Sequence, residues 1–167
     1  MTNNLLFRNA TIHDKDQFKK LGILSYGQFA EQLTEENWAM MSSNINSDAT
    51  WDSILSTSEG FVCVDGKEVV GMAFLIRHGN PWFVFKSEWC YIRMVGVRPD
   101  YEGNGIAKEL TKRCIEYARS THEKTIALHT SELMHAARHI YESLGFEILE
   151  ELEPRFGKRY WVYTMAL

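Results

Sequence analysis

The stretch from Trp89 to Leu110, WCYIRMVGVRPDYEGNGIAKEL, constrains the fold more than any other part of the sequence. Its apolar first half predicts a strand over Trp89–Val97, and Pro99 ends that strand because proline cannot donate to a sheet ladder. Two glycines follow within a short turn, and apolar residues spaced for one helix face then predict a helix over Gly103–Ser120. A strand joined to a helix by so short a turn indicates an α/β fold.

The glycine turn, Gly103-Asn104-Gly105, has the character of an anion site. A helix start exposes backbone N–H groups that the helix itself cannot satisfy, and it carries partial positive charge. Glycine allows an anion to approach those groups closely, so the turn is a candidate phosphate site. It lacks the Lys-Ser or Lys-Thr pair of a Walker A loop, and Lys108 occupies the third glycine position of a dinucleotide fingerprint. On these residues alone, a tight turn without a ligand fits equally well.

The elements on either side predict one mixed α/β domain over residues 1–167. Hydrophobic residues make up 45% of the chain, enough for a core. Helix starts are predicted at Asp14 with Gln17, at Thr34, and at Ser47 or Asp48. The remaining predicted elements are strands at Leu5–Thr11, Phe61–Val64, Glu68–Arg77, Thr125–Thr130, Phe146–Leu152 and Tyr160–Leu167, and a helix at Leu133–Leu144.

The net charge and the cysteine pattern argue against several classes of function. The formal net charge of -4 disfavours a general nucleic-acid binder, which needs a positive field. Cys63, Cys90 and Cys114 are odd in number and widely spaced, which predicts neither a disulfide framework nor a zinc ribbon. No signal segment or membrane-length apolar run is found. We therefore expect a cytoplasmic protein without a membrane or nucleic-acid partner.

Two motifs resemble those of the GNAT superfamily of N-acetyltransferases. The stretch Val97–Ala107 resembles the acetyl-CoA motif V-x-P-x-Y-x-G-x-G-I-A. The stretch Met134–Phe146 resembles that family's closing helix, A-x-x-[LI]-Y-x-x-x-G-F, and lies at the usual separation. The opening Leu6–Ala10 also looks like a GNAT start. The resemblance implies the GNAT fold: a mixed central sheet with a splayed parallel strand pair, flanked by helices.

The resemblance also implies where acetyl-CoA binds as the acyl donor. The pantetheine arm would lie along the strand at Val95, Gly96 and Val97, with Gly96 marking a bulge. The pyrophosphate would sit at the turn and the helix start, formed by Glu102, Gly103, Asn104, Gly105, Ile106, Ala107 and Lys108. Glu102 departs from the family, which usually has Arg or Gln there, and a carboxylate beside a pyrophosphate is unfavourable. Lys108 and Lys112 either contribute phosphate charge or form a solvated helix face.

Tyr141 matches the family's tyrosine near the sulfur and is the expected general acid for the leaving thiolate. Its spacing on the helix also fits simple packing. The base is less defined: Glu88 is the first candidate, with Glu132, His78 or a water relay as alternatives. Met134 is a second departure, because many relatives have Asn there.

Two further features of the sequence also have ordinary structural explanations. His135 and His139 have a spacing that can bind zinc, but no third ligand accompanies them, so no metal is predicted. Trp82 and Trp89 either belong to the core or line an acceptor pocket.

The function predicted from this resemblance is an N-acetyltransferase that moves acetyl from acetyl-CoA to a primary amine by direct attack in a ternary complex. The acceptor is expected to be a small molecule or a peptide amine, and the acidic balance mildly favours a cationic amine. The alternative is a non-catalytic acyl-CoA-binding sensor or regulatory module. A homodimer is a family expectation.

Overall fold

The computed structural model describes residues 4–167, so Met1–Asn3 of the predicted domain lie outside the described residues. Seven strands form one sheet in the order β1-β2-β3-β4-β5-β7-β6. The strands are β1 (Leu5–Asn9), β2 (Ser58–Asp65), β3 (Glu68–Ile76), β4 (Cys90–Val97), β5 (Thr125–Ser131), β6 (Glu147–Glu151) and β7 (Tyr160–Ala166). The helices are α1 (Lys15–Gly27), α2 (Glu35–Asn46), α3 (Asp48–Thr57), α4 (Ile106–Ser120) and α5 (His135–Ser143). The predicted mixed α/β class with a parallel strand pair is confirmed.

Two of the three predicted helix starts in the first third are capped by the expected side chains. The hydroxyl of Thr34 accepts from Asn37 N at 3.1 Å, and that of Ser47 accepts from Thr50 N at 3.2 Å. Each bond satisfies one backbone donor that the helix leaves open.

Helix α1 starts directly after Asp14, as predicted, but without the predicted side-chain capping bonds. The Asp14 carboxylate does not cap the helix but accepts from the Arg8 guanidinium at 2.8 and 2.9 Å. Gln17 turns towards β3, where its side-chain oxygen accepts from Val69 N at 2.8 Å. Asp14 is therefore engaged in an ion pair and Gln17 in a hydrogen bond to the backbone of β3. The two side chains do not form the predicted capping box at the start of α1.

The helix after the glycine turn begins at Ile106, three residues later than predicted. Gly103 and Gly105 have φ angles of 81° and 74°, in the left-handed region that a helix cannot include. The turn therefore uses both glycines for their conformational freedom before α4 starts. Helix α4 then covers one face of the sheet.

Two apolar cores lie on opposite faces of the sheet. One packs α4 and α5 against the sheet, and the other packs α1 and α3 against it. In the second, Phe18, Trp51 and Phe74 form an aromatic cluster with centroids 5.0–5.6 Å apart. The cysteines are free and buried, as their apolar surroundings indicate: Cys63, Cys90 and Cys114.

The parallel pair β4–β5 opens along its length. The two strands are paired only at Cys90–Ile126 and Tyr91–Ala127, near their starts. Beyond Tyr91 the ladder stops and the strands diverge. The predicted splay is present, and it leaves one edge of β4 without a strand partner.

Strand β4 also contains a bulge, but not at Gly96. Gly96 pairs with Met72, whereas Phe74 pairs with Arg93, so the extra residue lies between these pairs. Met94, within it, has a φ angle of 53°. Gly96 instead permits close packing: a Cβ there would lie 3.2 Å from Met72 Cε and 3.4 Å from Ser25 of α1.

Within residues 4–167, every helix is too short or too polar to span a bilayer.

Candidate active site

A cavity of about 580 Å³ opens where β4 and β5 separate. Strands β4 and β5 form its floor, and residues of α1, α2, α3, α5 and the β6–β7 loop form its walls. The lining residues are Tyr26, Met41, Asn44, Ile45, Ala49, Thr50, Ser53, Trp82, Ile92, Arg93, Met94, Val95, Leu128, His129, Thr130, Met134, Ala137, Tyr141, Arg155, Phe156 and Tyr160. Two predicted site residues, Val95 and Tyr141, therefore border one space.

Tyr141 lies on α5 at the side of the cavity that adjoins the α4–α5 core. Its ring packs edge-on to Phe146, with centroids 6.0 Å apart. Burial raises the pKa of the Tyr141 phenol far above its ordinary value, so the hydroxyl stays protonated. No protein hydrogen bond to this hydroxyl is found within residues 4–167, which leaves its proton available to a molecule in the cavity.

The glycine turn stands at the open end of the splay. The hydrogen bond from Glu109 N to Gly105 O, 3.0 Å, lies in the first turn of α4, so the N–H groups just before it have no helical acceptor. A Cβ added at Gly103 or Gly105 would meet nothing within 4 Å. The turn thus presents backbone donors to open space, and the Asn104 amide braces it by donating to Tyr101 O at 2.8 Å.

The charged residues at this turn all reach the surface. Glu102, the departure from the family pattern, accepts from the Gln28 amide at 3.1 Å. Its carboxylate is therefore held beside the end of α1. Lys108 and Lys112 are exposed on α4.

The other side of the cavity carries two arginines and a histidine from separate segments. The Arg93 guanidinium on β4 lies 3.6 Å from the centroid of the Trp82 ring. Arg155, in the loop between β6 and β7, places Nη1 3.3 Å from His129 Nε2 on β5. These three side chains make this side basic.

Aromatic rings surround this basic group. Phe85 stacks on His129 at 5.5 Å and on Tyr91 at 4.3 Å. The Arg155 guanidinium lies 4.3 Å from the centroid of the Phe83 ring. The rings reduce contact with water and so strengthen any charge interaction within the cavity.

The surroundings lower the pKa values of His129, Arg93 and Arg155. Burial, followed by the charges of Arg155 and Arg93, lowers the pKa of His129 to about 3. Burial also lowers the pKa of Arg93 and of Arg155 from the usual value. The imidazole is therefore neutral at physiological pH, whereas both guanidinium groups remain charged.

The candidate bases lie outside the cavity. Glu88 is exposed in the segment before β4, at the end where β4 and β5 are still paired. His78 contacts Glu123, with Nδ1 and Oε1 2.8 Å apart. Glu132 accepts from Arg159 N at 3.0 Å. None of these three residues lines the cavity, so the splay does not bring them together with Tyr141.

The remaining candidates divide between the cavity and other surroundings. Trp82 lines the cavity, whereas Trp89 is buried in the second core. Met134 borders the cavity at the start of α5, and Thr130 donates to its sulfur at 3.5 Å. His135 and His139 are exposed on α5. Residues 4–167 contain no cluster of three or more His, Cys, Asp or Glu that could hold a metal ion.

Arg93, His129 and Arg155 are functional-site candidates that were not predicted from the sequence. A signal for the first two existed, since each is a charged or titratable residue within an otherwise apolar strand. Arg155 lies in a polar loop, where nothing in the sequence distinguishes it from its neighbours. The combined arrangement offers backbone donors at one end, a protonated phenol in the middle and a cationic pocket at the other side.

The sequence matches the model of the acetyltransferase (GNAT) family over residues 28–146, more than half of the chain. An N-acetylaspartate synthetase of Xenopus tropicalis is 41% identical over 56 residues, which is 34% of this chain and 21% of that protein. An uncharacterised N-acetyltransferase of Methanocaldococcus jannaschii is 30% identical over 84% of this chain. The matches span about a fifth of the first relative's length and 59% of the second's.

A solved structure has the same fold. The PaiA N-acetyltransferase of Thermoplasma acidophilum, in complex with coenzyme A, superposes with a TM-score of 0.78 at 12% identity. The alignment covers 98% of this chain and 99% of that one.

Proposed function

Because the chain belongs to the acetyltransferase (GNAT) family, we propose that it transfers an acetyl group from acetyl-CoA to a primary amine within a ternary complex. The observation that carries the proposal is the cavity at the β4–β5 splay, which Tyr141 and Val95 border, with Val95 on the strand that leads into the glycine turn. The described residues would form one catalytic domain.

The donor would lie along the open edge of β4. The pantetheine amides would pair with backbone groups of Val95, Gly96 and Val97, which β5 does not reach. The pyrophosphate would accept from the free N–H groups of the turn, which the start of α4 supports with its positive dipole. The solved relative with coenzyme A bound supports this choice of donor.

The reaction is a direct acyl transfer. The amine lone pair attacks the thioester carbonyl carbon, and backbone N–H groups stabilise the oxyanion that forms. The C–S bond then breaks and the thiolate leaves. Tyr141 would donate its hydroxyl proton to the sulfur and would regain a proton, through water, from the nitrogen of the tetrahedral intermediate, giving an N-acetyl amide, free CoA and a neutral Tyr141.

The proton released by the amine would leave through water. No aspartate or glutamate lines the cavity within the described part of the chain. His129 is a weak base at a pKa of about 3 and would not hold a proton taken from an ammonium group. We therefore propose that Tyr141 is the one side chain that exchanges a proton with the reacting groups.

The test has two stages. Calorimetry with acetyl-CoA measures donor binding, and a thiol assay then measures CoA release with a broad panel of primary amines. One-to-one binding with amine-dependent CoA release and mass-spectrometric detection of the amide would support the proposal. Binding without transfer to any amine would favour the acyl-CoA sensor, and absence of binding at millimolar acetyl-CoA would refute the donor site.

A further inference from the structure

The charge of the cavity is unbalanced. Among its lining residues, Arg93 and Arg155 are the charged ones, and no carboxylate faces them within residues 4–167. The chain as a whole carries a net charge of -4, so its acidic groups lie elsewhere. The local charge at the site is thus opposite to the overall charge.

Four other arginines in this protein, Arg8, Arg98, Arg113 and Arg159, have carboxylate partners within residues 4–167. Arg8 pairs with Asp14 at 2.8 Å, Arg98 with Asp100 at 2.7 Å, and Arg159 with Glu151 at 2.6 Å. By contrast, Arg93 lies on an aromatic ring and Arg155 donates to a neutral imidazole. Neither contact supplies a negative charge.

Two half-buried guanidinium groups without counter-ions are costly, because burial removes water and the two charges repel each other. Burial lowers the pKa of both guanidinium groups, and the charge of Arg155 further lowers the pKa of Arg93. An anion in the cavity would offset this cost, and a planar guanidinium fork matches a carboxylate in particular.

The position of the two arginines restricts where such an anion would sit. Arg93 directly precedes the bulge of β4, whereas Val95, which would pair with the donor, lies within the bulge. His129 stands beside Arg155 on the neighbouring strand. A carboxylate held here would leave the rest of its molecule facing the gap between the strands, where the proposed acyl transfer takes place.

We propose that the acceptor is a primary amine that carries a carboxylate, such as an amino acid, and that Arg93 and Arg155 bind this carboxylate. The inference rests on the proposed function and specifies its substrate class. It replaces the expectation of a cationic amine, which followed from net charge alone. Cationic diamines would be repelled by the same pair of arginines.

The first experiment compares matched acceptors on the unmodified protein. Each amino acid is assayed beside its α-carboxamide, which keeps the amine and side chain but removes the negative charge. We expect kcat/KM to be at least about 10-fold higher for the acid, as charge-assisted hydrogen bonds of this kind imply. Equal or better transfer to carboxamides, diamines or a phosphate-bearing amine would overturn the inference and leave the proposed acyl transfer intact.

Arginine variants then locate the carboxylate. Arg93→Gln and Arg155→Gln should each lower kcat/KM for the amino acid about 10-fold or more, with little change for the carboxamide. The KM for acetyl-CoA should stay within about 2-fold, because both groups lie on the acceptor side. The matched control is Arg159→Gln, four residues from Arg155 and outside the cavity lining. Equal losses for acid and carboxamide would contradict carboxylate binding.

A binding measurement separates failure of this inference from failure of the proposed function. The N-acetyl amino acid and its N-acetyl carboxamide are titrated into the protein with CoA present, so no turnover is required. Tighter binding of the acid by about 10-fold or more supports the anion site even if no transfer is found. Indistinguishable binding of the two would refute the site whatever the activity.

Discussion

Arg155 donates a hydrogen bond to His129 across the acceptor side of the cavity, with Nη1 and Nε2 3.3 Å apart. A guanidinium group has no acceptor, so Nε2 must offer its lone pair and Nδ1 carries the imidazole proton. The neutral tautomer is therefore fixed by a positive neighbour. Protonating His129 would break this contact and add a third positive charge beside Arg93.

The stability of the protein should depend on His129 as the pH falls. The pKa of His129 is about 3 in the folded state, compared with 6.5 for an ordinary histidine. The unfolded chain therefore binds this proton first, and the contribution of His129 to stability is present above pH 6.5 and is lost as the pH falls towards 3. Between pH 7 and 5 we expect a loss of about 2 kcal/mol from this group alone.

Urea unfolding at the two pH values measures this loss. His129→Gln is the comparison, because it removes the titrating ring and keeps a polar side chain. The free energy of unfolding should fall less for the variant than for the parent protein. An equal fall in both proteins, or an assigned His129 NMR signal that titrates near pH 6.5, would show that the imidazole is not held neutral.

Replacing Tyr141 by Phe should lower kcat by about 100-fold or more, because a positioned general acid contributes on this scale. The affinity for acetyl-CoA should change little, since the phenyl ring still packs against Phe146. Single-turnover rates and calorimetry measure the two quantities. Tyr117→Phe is the control, a tyrosine of α4 that packs against Phe61 outside the cavity lining. Full activity of the Tyr141 variant would exclude its role as the acid.

Replacing Gly105 by Ala should weaken acetyl-CoA binding beyond its effect on folding. Its φ of 74° disfavours a side chain, and the methyl group would project from the turn proposed to hold the pyrophosphate. Gly66→Ala is the matched control. Gly66 also has a left-handed φ angle, 59°, so the side chain strains the backbone similarly, but it lies in the β2–β3 turn, away from the cavity. Both variants should lose about 1 kcal/mol of stability. A similar KM for acetyl-CoA in both would place the pyrophosphate elsewhere.

Replacing Glu102 by Gln should tighten acetyl-CoA binding by a few-fold at low salt. The carboxylate stands beside the proposed pyrophosphate site, and removing its charge removes a repulsion that salt otherwise screens. The amide also retains an oxygen for Gln28. Glu116→Gln, on the exposed face of α4, is the control for a change in overall charge. A KM that rises in the Glu102 variant would indicate that the carboxylate supports the turn instead.

The fold and the elements that carry the proposed donor site could be predicted because their signals are contiguous in the sequence. Each of these elements occupies a short stretch of sequence with a recognisable hydrophobic period or turn residues. They are the strand that carries Val95, the turn at Gly103 and Gly105, and the helix that carries Tyr141. Boundaries shifted by one to three residues, as at the start of α4, where the left-handed backbone of Gly103 and Gly105 delays the helix to Ile106. The resemblance to one family then placed these stretches in a common site.

The acceptor side could not be predicted in the same way. Arg93, His129 and Arg155 are separated by tens of residues, and only the sheet order and the β6–β7 loop bring them together. The bulge at Met94 also disrupts the regular alternation of side chains along β4 beyond Arg93, so the facing of Met94 and Val95 does not follow from strand period alone. Net charge averages over the whole surface, most of which an acceptor in the cavity would not meet, so it does not predict the charge of the site.

The splay of β4 from β5 also has a consequence for how such enzymes diversify. The groups that would meet the donor belong to the turn and to the open edge of β4, whereas the arginines that would meet the acceptor project from β4 and from the β6–β7 loop. Under the proposed function, substitutions at Arg155 and its loop would retune the choice of amine over evolutionary time while the donor machinery is inherited unchanged.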